Sequence, residues 1–219
     1  MKWRTIEALT ALAPLPAGYR YEKLHRAHIA PVIAALGKWR PEISAGASSC
    51  YLREEFYRDR VCLEGEADRD IFAVRIMFAG EMAGFWLLER EPEPLAIYGR
   101  FLAVAPAHRG AHLFGRAMAG TERIGREMGA AFTYMFATLR HPYAQQALEE
   151  AGYRLLGFFP GYDREEIAPG VIKRVYQAAY AKLLVPESEV QWPAPENMTA
   201  KARGLFALLF PERPQAAGK

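Results

Sequence analysis

The sequence predicts an α/β fold built on one mixed, mostly antiparallel sheet that is flanked by helices. Two apolar runs, 71–78 and 82–88, are joined by a tight turn at Gly80, which predicts an antiparallel hairpin. A strand over 96–106 is followed by an amphipathic helix and a further strand, and such a β-α-β unit makes its two strands parallel. Prolines become frequent from Pro186 onward, which indicates that an extension follows the folded domain.

The elements before the hairpin are one strand and two helices. Residues 19–24 alternate between polar and apolar types and predict a first strand. Residues 26–39 predict a helix, and the small, polar stretch 42–50 predicts a loop. A second helix is expected over 51–63, because its apolar residues recur at helical spacing.

The elements after the hairpin alternate between strands and helices. The helix of the β-α-β unit covers 113–128, and its second strand covers 130–139. The residues expected on the buried side of this helix are Leu113, Ala117, Thr121, Ile124 and Met128. A short helix over 142–152 follows, and 153–159 and 171–185 are further strand candidates.

The domain boundary is expected near the change in composition. We predict one domain over 1–185 and a proline-rich extension over 186–219, which is too short to bury a core of its own. Within the extension, residues 199–210 predict a short amphipathic helix with Thr199 as its N-cap.

The composition indicates a globular protein in a reducing compartment. Of 219 residues, 51% are hydrophobic and 24% charged, and the net charge of +3 is spread without a basic block, which argues against a nucleic-acid partner. No apolar run reaches the length of a membrane span, so we expect a cytoplasmic protein with no membrane partner. Cys50 and Cys62 have no ligand spacing around them, which predicts free thiols and no metal.

The junction between the strand 96–106 and the helix after it carries the strongest functional indication. The strand ends at Val104 and Pro106, and Arg109 and Gly110 precede the helix. The first N–H groups of a helix have no partner within the helix and point outward, so a helix N-terminus is a favourable seat for phosphate. The sequence therefore predicts a phosphate-bearing ligand at this junction.

This junction resembles the central motif of the GNAT superfamily of N-acetyltransferases, in which Arg/Gln-x-x-Gly-x-Gly/Ala follows a strand that ends in Val-x-Pro. The likeness covers 19–184 and is strongest over 98–161. It implies a sheet whose parallel strands splay apart, with acetyl-coenzyme A or another acyl-coenzyme A between them. The loop amides would bind its pyrophosphate, and the end of the strand would pair with its pantetheine arm. The residues implied to bind it are Leu102, Ala103, Val104, Arg109, Gly110, Ala111, His112, Leu113, Phe114, Gly115 and Gln145.

A second motif of the family, Asn-x-x-Ala-x-x-x-Tyr-x-x-x-Gly-Phe, is similar to residues 141–153. The Tyr of that motif is the usual general acid that reprotonates the coenzyme A thiolate. Leu148 stands at its place and has no proton to give. The resemblance therefore leaves His141 or Tyr143 as candidates for a displaced acid.

The motif contains no obvious residue that could act as the base and take the amine proton. Many family members carry a Glu on the strand before the helix, and Tyr98 stands at the corresponding place. Tyrosine, with a pKa of about 10, is a weak base near neutral pH, which favours a role in shaping the site. Arg100 lies two residues on, on the same face, and is a candidate for binding an acidic group of the acceptor. The acceptor pocket would be lined from the region of Trp39, Tyr51, Phe56 and Tyr57, although core packing explains these aromatics as well.

These features predict an enzyme that transfers an acetyl or other short acyl group from coenzyme A to a small primary amine by direct attack. No Cys or Ser is arranged with a base as a nucleophile, so no covalent acyl-enzyme is expected. An alternative is a non-catalytic acyl-coenzyme A-binding module that regulates a protein partner. A weaker third hypothesis is a synthase that uses an acyl carrier protein thioester. The resemblance also allows a homodimer.

Overall fold

The computed structural model describes residues 1–211 and contains eight strands and six α-helices within that range. The strands are β1 (Tyr19–Lys23), β2 (Val61–Cys62), β3 (Ile71–Phe78), β4 (Glu81–Glu91), β5 (Ala96–Val104), β6 (Phe132–Thr138), β7 (Arg154–Ala168) and β8 (Val171–Leu183). The helices are α1 (Ile6–Leu12), α2 (Ile29–Trp39), α3 (Glu54–Arg60), α4 (Leu113–Glu127), α5 (Tyr143–Glu150) and α6 (Ala200–Leu209).

All eight strands form one sheet in the order β1-β3-β4-β5-β6-β8-β7, and β2 pairs with β3 beside this path. The β5–β6 pair and the short β2–β3 pair are parallel, and the other pairs are antiparallel. The predicted mixed, mostly antiparallel sheet is therefore confirmed. The predicted hairpin is β3–β4, and Gly80 adopts the left-handed conformation in its turn, with φ of +88°.

Helices cover both faces of the sheet and divide the core in two. Leu9 of α1, Leu148 of α5 and the buried side of α4 pack with sheet residues such as Trp86 on what we call the α4 face. Residues of α2 and Tyr57 of α3 pack with Phe85 on the opposite side, which we call the α2–α3 face. The five residues expected on the buried side of α4 are all buried, as its helical spacing predicts.

The β5–β6 pair separates part-way along its length. Hydrogen-bonded pairing joins Ala96–Gly99 only to Phe132–Met135, although both strands continue in the same direction. The remainder of β6 is held by β8 instead, and the remainder of β5 by β4. A V-shaped gap therefore opens between the two parallel strands beyond Gly99.

Three predicted elements differ from the structure. The helix expected over 51–63 is shorter: α3 begins at Glu54, and a 3-10 helix over Ala47–Leu52 precedes it. The expected loop over 42–50 contains two short 3-10 helices. The strand expected over 153–159 continues as β7 to Ala168, because an edge strand tolerates the missing N–H of Pro160 and its ladder absorbs several bulges.

The C-terminal extension contains the predicted helix, which is α6, and the Thr199 side chain accepts a hydrogen bond from the Ala202 N–H. Phe206 of α6 packs edge-on against Trp192, so the extension forms a small aromatic cluster of its own. The polar tail over 212–219 lies outside the described residues. The boundary near residue 185 remains a prediction.

Candidate active site

The gap between β5 and β6 leaves one edge of β5 without a strand partner beyond Gly99. Leu102 and Val104, which the sequence predicts to meet the pantetheine arm, lie on this segment and turn their side chains toward the α4 face. Ala103 lies between them and is buried on the other face. The backbone edge of this segment can therefore pair with an extended, amide-containing ligand as a strand would.

The junction after β5 contacts β1, which is an edge strand of the sheet. A 3-10 turn over Pro106–His108 follows the strand, and the Tyr19 hydroxyl lies 2.9 Å from Nδ1 of His108. Gly110 then adopts a left-handed φ of +95°, which suits glycine. Arg109 and Gly110 are exposed. The loop thus leads into α4 with its outer face exposed.

Helix α4 begins at Leu113 without a side-chain cap. Its N-cap residue, His112, has φ of +55°, and its carbonyl accepts the first helical hydrogen bond from Arg116 at 3.1 Å. The N–H groups of Leu113, Phe114 and Gly115 therefore have no partner inside the helix. Together with the positive end of the helix dipole, they form a site that favours an anion.

Phe114 and His112 stand where the family motif has glycine, and the structure shows how the loop accommodates them. The Phe114 ring packs against the core on the α4 face, together with the partly buried Ala111, and Leu113 is fully inside. His112 is exposed. A Cβ at Gly115 would meet nothing within 4 Å, so the outer side of the first turn is open.

The floor of the gap on the α2–α3 face carries a β-bulge. Leu87 of β4 pairs with Phe101 and Leu88 pairs with Gly99, so Arg100 is an extra residue in β5. The bulge brings two successive side chains to one face. The Arg100 guanidinium lies 5.9 Å from the Phe56 ring centroid, and the Phe101 ring lies 4.8 Å from that of Tyr51.

The Arg100 side chain is only 20% exposed and forms an ion pair with Glu89 of β4, while Arg60 approaches the same carboxylate at 3.8 Å. Its guanidinium also lies over the Tyr98 ring at 5.5 Å, which confirms that the two residues share a face. Burial alone lowers the pKa of Arg100, but Tyr51 and Glu89 outweigh it and raise the pKa above its ordinary value. The Nε atom of Arg100 is buried without a protein partner.

Five aromatic side chains, which we call the aromatic row, contact one another in series beside the gap. Tyr98 stacks on Tyr134 at 4.9 Å, and Phe136 contacts Tyr98 at 5.9 Å and Tyr162 at 4.6 Å. Phe159 completes the row at 5.3 Å from Phe136. Burial raises the pKa of Tyr98, and its neighbours Tyr51 and Tyr162 add to the effect, so its hydroxyl stays protonated at neutral pH.

The loop after β6 and the helix α5 that follows it hold the remaining predicted residues. The amide nitrogen of Gln145 donates to the carbonyls of Thr138 and His141, so its donors hold the loop together. Nδ1 of His141 is buried without a protein partner, and the Tyr143 ring, 5.2 Å from that of His141, is 73% exposed. Leu148 is buried in the core, as its apolar character predicts. Their catalytic and binding roles remain predictions.

Several residues of this region are not apparent from the sequence. Glu89 and Glu91 alternate with Leu87 on β4 and share its face. Glu89 meets Arg100, and Glu91 accepts a hydrogen bond of 2.8 Å from the Tyr134 hydroxyl. Their alternation after an apolar strand was the available signal, but their partners depend on the register with β5 and β6.

Two cavities lie away from the centre of the gap. One of about 530 Å³ opens beside the end of β6 and includes His141, Arg140 and Glu165. Another of about 580 Å³ lies at the opposite edge of the sheet, near Trp3 and Cys62, and contains none of the predicted site residues. Within 1–211 no three His, Cys, Asp or Glu side chains are grouped to hold a metal ion. None of the helices described is both long and apolar enough for a membrane crossing.

The overall fold is shared with solved acetyltransferases. The spermidine/spermine N-acetyltransferase SpeG from Vibrio cholerae is 12% identical with a TM-score of 0.61, and the match covers 77% of this chain and 95% of that one. The ribosomal-protein alpha-N-acetyltransferase RimL, in complex with coenzyme A, is 11% identical with a TM-score of 0.59, covering 78% and 97%. A Bacillus subtilis acetyltransferase in complex with coenzyme A is 12% identical with a TM-score of 0.56, covering 76% and 99%.

Likeness in the amino-acid sequence is much weaker. No protein-family model matches the chain, and no curated protein matches it in sequence. The architecture nevertheless defines a class: an α/β protein whose parallel strand pair opens beside an uncapped helix N-terminus. This is the fold of the GNAT acetyltransferases, and the fold implied by the resemblance in the sequence is confirmed.

Proposed function

We propose that the protein is an acyl-coenzyme A-dependent N-acyltransferase that transfers an acetyl or other short acyl group to a primary amine. The observation that carries the proposal is the V-shaped gap between β5 and β6, with the uncapped N-terminus of α4 at its end. A free strand edge and a cluster of free amides meet there, and they suit an amide-containing arm joined to a pyrophosphate. Two of the structures of similar fold hold coenzyme A.

The binding roles follow the two halves of this ligand. The N–H groups of Gly110 and of His112 to Gly115 would hold the pyrophosphate, with Arg109 and His112 available at the rim. The Ala111 N–H donates instead to the His108 carbonyl at 3.2 Å. The free edge of β5 over Leu102–Val104 would pair with the pantetheine arm. Coenzyme A would supply the acyl group as an activated thioester.

Glu89 is our candidate for the base that takes the amine proton, directly or through a water molecule. The carboxylate that many family members carry at the position of Tyr98 is here provided by the strand beside it, since Glu89 lies directly opposite Tyr98 in the β4–β5 ladder. Arg100 and Arg60 keep this carboxylate in place. Tyr98, which stays protonated and forms a side-chain hydrogen bond with Tyr162, would shape the site beside Glu89.

The group that returns a proton to the thiolate is assigned to the β6–α5 loop. His141 lies in this loop, and Tyr143 begins α5, the helix that carries Leu148. Gln145, whose amide holds this loop by two hydrogen bonds, supports their placement.

The proposal is tested by measuring thiol release from acetyl-coenzyme A over a panel of primary amines, with a matched reaction lacking the amine. Release that depends on the amine, with the acylated amine identified by mass spectrometry, supports the proposal. Tight binding of acetyl-coenzyme A without turnover over the whole panel would instead support a non-catalytic binding module. None of the observations on the described residues favours that second function.

A further inference from the structure

We propose that the acceptor is an arylalkylamine, a primary amine carried on an aromatic ring, and that Phe136, Phe159 and Tyr162 hold the ring. The inference rests on the proposed function, because it names the substrate class of the same site. It is carried by the aromatic row and by the charges around it.

The outer end of the aromatic row has uncovered ring surface. Phe159 and Tyr162 are 47% and 43% exposed, although both contact Phe136 and lie 6.0 Å from each other. Large aromatic side chains usually bury this much ring surface in the core or against a ligand. The row leads from this exposed end to Tyr98, which stands beside Arg100 at the bulge. A ring placed against Phe159 and Tyr162 would extend the row that ends at Tyr98, the residue opposite Glu89 in the β4–β5 ladder.

The carboxylates around the row are already engaged. Glu89 pairs with Arg100, and Glu91 accepts from Tyr134. Asp163 accepts from the Ala47 and Ser48 N–H groups, and Glu165 pairs with Arg140 at 3.0 Å. A second ammonium group on the acceptor, as in a polyamine, would have to displace one of these partners.

Two cations near the Tyr98 end of the row are engaged as well. Arg100 is bound to Glu89, and Arg40 is bound to Glu42 and lies 5.8 Å from the Phe101 ring. Because each of these cations is already paired with a carboxylate, neither offers an uncompensated charge to an acidic group of the acceptor. The exposed surface of Phe159 and Tyr162 is aromatic, and an aromatic ring is the group that complements it.

The first experiment compares kcat/KM for 2-phenylethylamine, spermidine and phenylalanine with acetyl-coenzyme A as donor. We expect 2-phenylethylamine to exceed both others by roughly tenfold or more, the size of effect that one or two added aromatic contacts produce. A preference for spermidine or phenylalanine would overturn the inference and leave N-acyl transfer standing. Absence of turnover with every amine would overturn the proposed function and the inference with it.

The second experiment replaces the two exposed rings in the double variant Phe159→Leu, Tyr162→Leu. We expect the KM for 2-phenylethylamine to rise roughly tenfold while the KM for acetyl-coenzyme A is unchanged. The matched control is Phe158→Leu, whose ring is 56% exposed on the adjacent position of β7 and belongs to the opposite face. An unchanged amine KM in the double variant would overturn the inference. So would a change only in oligomeric state by analytical ultracentrifugation, which would assign these rings to a contact between copies.

Discussion

The carboxylate of Glu89 accepts a hydrogen bond from the guanidinium of Arg100, the residue that the bulge adds to β5. The pair joins two neighbouring strands at the point where β5 leaves β6. It places a carboxylate beside the gap, although the motif strand itself carries Tyr98 where many family members carry Glu. In the proposed mechanism, Glu89 supplies the carboxylate that the motif strand lacks.

Glu89→Gln should lower kcat by about 100-fold, the usual contribution of a general base, with no change in the affinity for acetyl-coenzyme A. Steady-state kinetics and calorimetric titration check the two parts. The matched control is Glu91→Gln, two residues along the same face, whose partner is Tyr134. Equal kcat values for wild type and Glu89→Gln, in a variant that melts normally, would remove Glu89 from the mechanism.

Gly110→Asp should weaken binding of acetyl-coenzyme A by at least about tenfold, because an anion would stand beside the amides that hold the pyrophosphate. A Cβ at this position meets nothing within 4 Å, but its φ of +95° strains most residues. Gly110→Asn is therefore the control, since asparagine has the same shape, no charge, and a better tolerance of left-handed backbone. Calorimetry should separate the two variants, and equal affinities would place the pyrophosphate elsewhere.

The double variant His141→Ala, Tyr143→Phe should lower kcat at saturating substrates by roughly tenfold to hundredfold, because proton return to the thiolate would lose its acid. Each single variant should retain part of the activity if one group substitutes for the other. The control is Gln146→Ala, because Gln146 is exposed on α5, the helix that begins at Tyr143. If the double variant keeps the wild-type kcat, water performs this step.

Much of this architecture could be predicted from local sequence patterns. The elements that could not be predicted depend on contacts between residues distant in the sequence. Helix α4 and the β3–β4 hairpin have strong periodicity and an unambiguous turn. Helix α1 was missed because seven residues make a marginal helix, although Thr5 accepts from the Ala8 N–H as its cap. The contacts of α1 explain its presence, since Leu9 is completely buried against the α4 face.

The candidate site also has a part that local sequence predicts and a part that depends on distant contacts. The β5–α4 junction is contiguous in sequence and therefore visible as a motif. Glu89, Tyr134 and Tyr162 come together only through the strand order and the bulge at Arg100, and neither follows from a single segment. Register depends on packing across the whole sheet, so residues that meet across strands are the hardest to predict.

Gly120→Ala should destabilise the protein by about 1 kcal/mol, since overpacking exceeds the gain in helix propensity. A Cβ at Gly120 would lie 2.9 Å from the buried Trp86 ring and 3.3 Å from the Ala13 Cβ. Gly115→Ala makes the same change in the same helix where nothing lies within 4 Å, so it should not be destabilising. Urea unfolding without ligand checks both, and equal stabilities would mean that α4 shifts freely on the sheet.

Glu122→Gln should destabilise the protein at neutral pH by about 1 kcal/mol and have little effect at acidic pH. The Glu122 carboxylate binds Nζ of Lys182 at 2.7 Å and Arg126 at 3.2 Å, joining α4 to β8. Burial alone raises the pKa of Glu122, but the hydrogen bonds from Lys182 and Arg126 outweigh it and lower the pKa below its ordinary value.

Because the folded state holds this carboxylate at a lower pKa than the unfolded chain, its contribution is complete above the unfolded pKa of about 4.3. It is lost as the pH falls through the folded value. Urea unfolding of wild type and Glu122→Gln at pH values on both sides of this range should therefore give curves that differ at neutral pH and converge in acid. Glu127→Gln, which removes an exposed pair with Arg4, should change stability less at neutral pH. A difference between wild type and Glu122→Gln that persists unchanged in acid would show that the ion pairs do not stabilise the contact between α4 and β8.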